Sequence, residues 1–138
     1  KELRWFGRRS LKIIKDRARN KRQGVKNGRV IRLKSVQRPY SLWRNKQPGT
    51  HSKMPKGVAS ALTFKGDLLN KMTILSASKG SLRLGWKSER LAAIAEGNEI
   101  GSYGRRPNRA NARPFFSLSI RELQKLTREF EERINKRL

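Results

Sequence analysis

The residue types that carry most chemistry are sparse and scattered in this chain. Its one histidine, His51, lies in a Gly-, Pro- and Lys-rich stretch with no acid within fifteen positions on either side, and an imidazole without a carboxylate to orient it is a poor general base. The ten Asp and Glu are dispersed, and the last four, Glu122, Glu129, Glu131 and Glu132, serve the electrostatics of a helix better than chelation. There is no cysteine, which excludes disulfides and thiolate zinc sites and fits a reducing compartment. No P-loop or dinucleotide-binding glycine pattern is present, so the glycines read as turns. No catalytic residue, metal site or cofactor is therefore expected. A nuclease would have to work through isolated acids such as Asp67 or Glu96.

What remains is cationic chemistry. Lys and Arg number 35 against 10 acids, for a formal charge of +25, and such a chain normally meets a polyanion or a strongly acidic partner. Residues 1–46 hold 17 of these cations against only Glu2 and Asp16. Arg4, Arg8, Arg9, Lys12, Lys15, Arg19, Lys21 and Arg22 are the candidate contacts to nucleic acid or to an acidic partner. Arg105, Arg106 and Arg109, in a loop near the C-terminal end, are further candidates. Trp5, Phe6, Tyr40 and Trp43 alternate with Arg4, Arg8, Arg38 and Arg44, a pattern that suits base stacking or, equally, packing. No helix-turn-helix, zinc-finger or RNP signature appears, so contact to the backbone without sequence preference is expected.

The elements that would position these groups follow from periodicity. Leu3, Phe6, Ser10, Ile14 and Ala18 recur at helical spacing with cations on the other faces, predicting an amphipathic basic helix over 2–20. Gly24, Asn27 and Gly28 break the pattern, and the Pro- and Gly-rich stretch 38–57 reads as an extended connector. From Val58 a helix is expected to lead into a strand. Met72–Ala77 and the alternating LRLGW at 82–86 flank Ser78–Ser81 as a hairpin. ERLAAIAEGNEIG, 89–101, predicts a short helix ended by Gly97, with a strand as the alternative, and 102–114 is expected to be a mobile surface loop. In ARPFFSLSIREL, 112–123, Ser119 and Glu122 form a capping box, Leu118 and Leu123 a hydrophobic staple, and Ile120, Leu123, Leu126, Phe130 and Ile134 the apolar stripe of a C-terminal helix. Trp86, Phe115, Phe116, Leu123 and Phe130 are the expected core or interface anchors.

A length of 138 residues suits a single domain, here divided into a basic helix with an extended arm over 1–57 and an α+β core over 58–138. The expected fold class is α+β: a small antiparallel sheet packed with a C-terminal helix and a basic N-terminal helix, joined by long loops. The longest apolar run, LAAIA at 91–95, is far short of the roughly 20 residues of a membrane span. With no signal-peptide pattern at its start, the chain is expected neither to insert nor to be conventionally secreted.

Three segments in order, ALTFKGDLLNKM, LRLGWKSERLAAIAEGNEIG and ARPFFSLSIRELQKL, resemble the tailed-phage virion morphogenesis family, the tail-completion or neck proteins of Mu-like phages and their relatives. The likeness spans about residues 58–138 and is carried by Gly66–Leu68, Ala92–Gly101 and Ala112–Ser119, the last being the most specific. The chain departs from the family in lacking the histidine of the Ala-rich segment, where Glu96 and Gly97 stand, and in having Ser117 for a glycine. The resemblance implies a non-enzymatic virion subunit made in the host cytoplasm. It would form a homo-oligomeric ring, taken as sixfold, at the head–tail junction, beside neighbouring neck and tail proteins and with genomic DNA in its lumen. The alternative on charge alone is a ribosomal or other RNA-binding basic protein.

Overall fold

A computed structural model describes residues 1–33, 67–78, 80–100, 112 and 114–138. In chain order these form helix α1 (Glu2–Asn20), strands β1 (Gln23–Lys26) and β2 (Arg29–Arg32), a single helical turn α2 (Asp67–Asn70), strands β3 (Thr73–Ser78) and β4 (Ser81–Gly85), and helices α3 (Glu89–Ile100) and α4 (Ile120–Asn135). The fold is α+β, with two separate antiparallel hairpins, β1–β2 and β3–β4, where one small sheet was expected.

α1 takes the predicted bounds because its apolar face has somewhere to go. Ser10, Leu11, Ile14 and Ala18 are buried on it, and the buried Ser10 hydroxyl donates to the Phe6 carbonyl at 2.9 Å. The helix packs on both strands of the β3–β4 hairpin and on α4. Leu11, Ile14 and Ala18 share one core cluster with Leu33, Leu68, Leu69, Met72, Trp86, Ala95 and Phe115, so the basic helix supplies core to the C-terminal elements. β3 and β4 pair as expected, with Ile74 opposite Leu84 and Ala77 opposite Leu82, and a register irregularity between Ile74 and Ser76 leaves Leu75 outward and 40% exposed.

Two expectations are corrected here. Asn27 and Gly28 do not simply end order: with φ of 52° and 72° they make the tight turn of β1–β2, the left-handed pair that a two-residue hairpin requires. Gly97 does not end α3, which runs on to Ile100 with Gly97 and Asn98 buried. A glycine inside a helix costs only about 1 kcal/mol, and the bonds made by Glu99 offset it. The helix expected from Val58 falls on residues outside the described set up to position 66; the described residues resume at α2. The connector 38–57 lies outside them too, as does the loop 102–114 apart from Ala112 and Pro114.

The first hairpin is tied to the segment that leads into α4. Val25 N–H donates to the Pro114 carbonyl at 2.8 Å and Ile120 N–H to the Gly28 carbonyl at 2.9 Å. Gly24 is required by this approach, because a Cβ there would lie 1.9 Å from the Pro114 oxygen. We predict that Gly24→Ala costs about 2–3 kcal/mol, in the range of overpacking a filled interior, read as a lowered urea midpoint with an unchanged slope.

Candidate functional site

The stretch from Pro114 to Ser119 is not part of a strand, and beyond the one bond from Val25 to the Pro114 carbonyl its backbone is held by Glu99 and the buried Arg17. Phe115 is fully buried. Its N–H and that of Phe116 donate to Glu99 Oε1 at 2.8 and 2.5 Å. The carbonyls of Phe115 and Ser117 accept from Arg17 Nη2 at 2.8 and 2.5 Å. Arg17 also donates through Nη1 to Glu122 Oε2 at 2.5 Å and, more weakly, through Nε to the Gln23 carbonyl at 3.4 Å. Its side chain is 3% exposed. Glu122 is in turn the capping-box residue of α4, accepting from Ser119 N–H at 2.8 Å while Ser119 Oγ accepts from Glu122 N–H at 3.2 Å. A single guanidinium on α1 thus fixes β1, the ARPFFS segment and the first turn of α4.

The aromatic pair closes the core beside this joint. The Trp86 ring meets Phe115 edge-on at 6.0 Å and lies tilted 4.8 Å from Phe116, and its indole N–H donates to the Leu68 carbonyl at 2.6 Å. Trp86 and Phe115 belong to the core cluster, and Phe116 packs against it. Leu123 is not a core residue: it is 46% exposed, as Ile120 is at 56%, and Leu126 is the residue of the α4 stripe that is buried. Leu118, the expected staple partner, packs against the core cluster.

The second contact is the antiparallel packing of α1 on α4. Phe130 stacks on Trp5 at 6.4 Å and meets Phe6 edge-on at 5.4 Å, and the Arg133 guanidinium sits 5.2 Å above the Trp5 ring. Trp5 and Phe6 are therefore packing residues rather than an open stacking platform. Glu2 accepts from Arg133 Nε at 2.6 Å and from Arg137. Burial acts to raise the Glu2 carboxyl, but Arg133 and Arg137 outweigh it and hold it below its ordinary value.

The predicted cationic contacts divide in two. Arg4, Arg8 and Lys12 are exposed, and Lys15 and Arg19 half-exposed. At 100° per residue these five fall within about 80° of arc on α1. Arg9 is corrected out of this face: it lies about 60° beyond Lys12, on the α4 flank, and pairs with Glu129 at 3.0 Å. Lys21 is exposed just past the end of α1, and Arg22 is half-buried with φ 50° where the chain turns into β1. Arg105, Arg106 and Arg109 lie outside the described residues, as do His51, Tyr40 and Trp43. Arg17, the most heavily bonded cation described, was not among the candidates. Periodicity puts it on the apolar side of α1, and that is the signal that singles it out.

Among the described residues no three His, Cys, Asp or Glu side chains come together, and no described helix is long and apolar enough to cross a membrane. Glu96 is exposed on α3, and the Asp67 side chain is outside the described set. Comparison of the chain with protein-family models, with curated proteins and with solved structures finds no match.

Two outcomes follow from the joint. Arg17→Met should cost about 3–5 kcal/mol, because it strands Glu122 and two carbonyls, whereas Arg9→Met, at a half-exposed pair, should cost about 1 kcal/mol or less. Equal losses in denaturant titration would refute the assignment. Burial pushes the Glu99 carboxyl up from its ordinary value, only partly countered by the N–H groups of Phe116 and Phe115 and by Arg17. A raised folded pKa means that the stabilising contribution is complete below the unfolded pKa and is lost as pH rises through the folded one. Glu99→Gln, which keeps an acceptor, should therefore stay within about 1 kcal/mol of wild type at pH 7, while Glu99→Ala loses about 1–3 kcal/mol by orphaning two N–H groups. Wild type should gain on Glu99→Gln as pH falls from 7 towards 4.

Proposed function

We propose that this chain is a structural, non-enzymatic subunit of a tailed-phage virion at the head–tail junction, a tail-completion or neck component that assembles as a ring and turns a basic face towards an anionic partner. One observation carries the reading. The segment with the most specific family likeness, Ala112–Ser119, supplies the joint of the fold, where Phe115 is fully buried and its N–H and carbonyl are held by Glu99 and Arg17. A short motif matched by chance has no reason to sit where the core, both long helices and the first hairpin meet.

Two further features suit assembly. α4 is covered along one flank by α1, while Ile120 and Leu123 on its stripe stay about half exposed, and aliphatic surface left open on a subunit is a common mark of an interface. The cations of the α1 row have no acidic partner among the ion pairs of the described residues. A subunit so charged needs anions around it to pack closely against copies of itself.

Electron microscopy and sedimentation of the purified chain at about 0.15 M salt, where screening acts over roughly 8 Å, test the proposal. Closed rings of one size are expected, and Leu123→Glu should dissolve them without unfolding the monomer. A chain that stays monomeric at every concentration, or that copurifies with ribosomes from a cell free of phage, overturns it.

A further inference from the structure

We propose that the outer row of α1, Arg4, Arg8, Lys12, Lys15 and Arg19, is a binding site for the phosphate backbone of double-stranded DNA, gripped without regard to sequence. This deepens the reading above and rests on it for the choice of DNA over an RNA duplex.

The row is linear and rigid. From residue 4 to residue 19 it runs about 22 Å, at 1.5 Å per residue, on a helix whose adjoining face is locked into the core through Leu11, Ile14 and Ala18. Its cations are therefore held in line before any ligand arrives, which lowers the entropic cost of binding. Duplex DNA carries one charge per about 1.7 Å of axis, so about 13 phosphates lie alongside such a row. The ion pairs of α1 among the described residues, made by Glu2, Arg9 and Arg17, all point towards α4. Asp16, exposed one turn beyond Lys12, marks the edge of the row. Crowding is already felt within it: partial burial and the neighbouring Arg19 both push the Lys15 ammonium below its ordinary value. The Arg19 guanidinium is steadied by a bond to the Asn70 side-chain oxygen.

Other anions fit less well. A single strand would be gripped by aromatic rings on which its bases stack, but Trp5 and Phe6 are engaged with Phe130, and Trp86, Phe115 and Phe116 with one another. An acidic protein would be expected to seat an apolar or aromatic anchor at the centre of its interface. The arc of the row holds only Lys and Arg, and Leu11, just beyond its edge, is buried.

Fluorescence anisotropy of the full chain with a 30-bp DNA duplex, the same-length RNA duplex, a single strand and polyglutamate, between 50 and 200 mM KCl, decides the matter. Five neutralised phosphates contribute about −4.5 to the slope of log K against log salt, or about 500-fold across that range. Substituting Arg4, Arg8 and Lys12 together by Gln should lower the slope by about 2.7. A control removing the same charge from α4, Arg121, Lys125 and Arg128 to Gln, should lower it by less than about 1. Circular dichroism of both variants shows that the fold is kept. Equal losses in the two variants, or single strand, RNA duplex or polyglutamate bound as tightly as the DNA duplex, overturn the inference. Rings formed by a wild-type chain that does not bind duplex would sink this inference alone, and duplex binding by a strict monomer would sink only the ring.

Discussion

A guanidinium buried as deeply as that of Arg17 is tolerated only where oxygens are aimed at nearly all of its donors, and the rest of the fold is arranged to provide them. Burial presses its pKa down, and the charge and hydrogen bond of Glu122, with Glu99 further off, act to raise it. Four of its five N–H groups are taken by Gln23, Phe115, Ser117 and Glu122. Those partners come from β1, from the extended segment and from α4, so none of the three can shift without stranding a buried charge. Such a charge adds little net stability over a well-packed apolar substitute, but losing one partner is severe. Its effect is to specify where the ARPFFS segment lies, a matter that hydrophobic contact alone leaves loose.

The same logic sets the register of α1 on α4. Reading down α1, Glu2 meets Arg133 and Arg137, Arg9 meets Glu129, and Arg17 meets Glu122. Sliding one helix by a turn would set Arg9 against Arg133 in one direction, or against Lys125 with Glu2 against Glu129 in the other. The end pair also satisfies both helix dipoles, with Glu2 in the first turn of α1 and Arg133 in the last turn of α4. The aromatic contacts of Trp5 and Phe6 with Phe130 lie between the Glu2 and Arg9 pairs.

Much of this was legible in the residues. α1 and its bounds followed from the 3.6-residue spacing of Leu3, Phe6, Ser10, Ile14 and Ala18. The start of α4 followed from Ser119 and Glu122, and the β3–β4 hairpin from the alternation of Leu82, Leu84 and Trp86. These signals are local, a few residues fixing their own geometry. The β1–β2 hairpin was hidden because its four-residue strands carry Lys or Arg at several positions and owe their order to Pro114 and Ile120, about ninety residues away. α3 outran Gly97 for a similar reason, since Glu99 is held by N–H groups that belong to another part of the chain. Arg17 looked like one more cation among seventeen. Only its angle on the helix, with Ser10 and Phe6 rather than with Arg8 and Lys12, distinguished it.

One helix thus uses arginine in two different ways, and the separation explains how so basic a chain has a core at all. The deeply buried Arg17 is matched almost donor by donor, so it specifies packing without leaving bare charge inside. The outward cations are left unmatched within the described residues, and their mutual repulsion acts on α1 itself, the element that supplies Leu11, Ile14 and Ala18 to the centre. An anion bound along the row, as proposed, would relieve that repulsion. To the extent that it binds the helical row more tightly than the unfolded chain, it would stabilise the folded state. The proposed contact surface and the core are adjoining faces of one helix, so binding at the first would be coupled to order in the second.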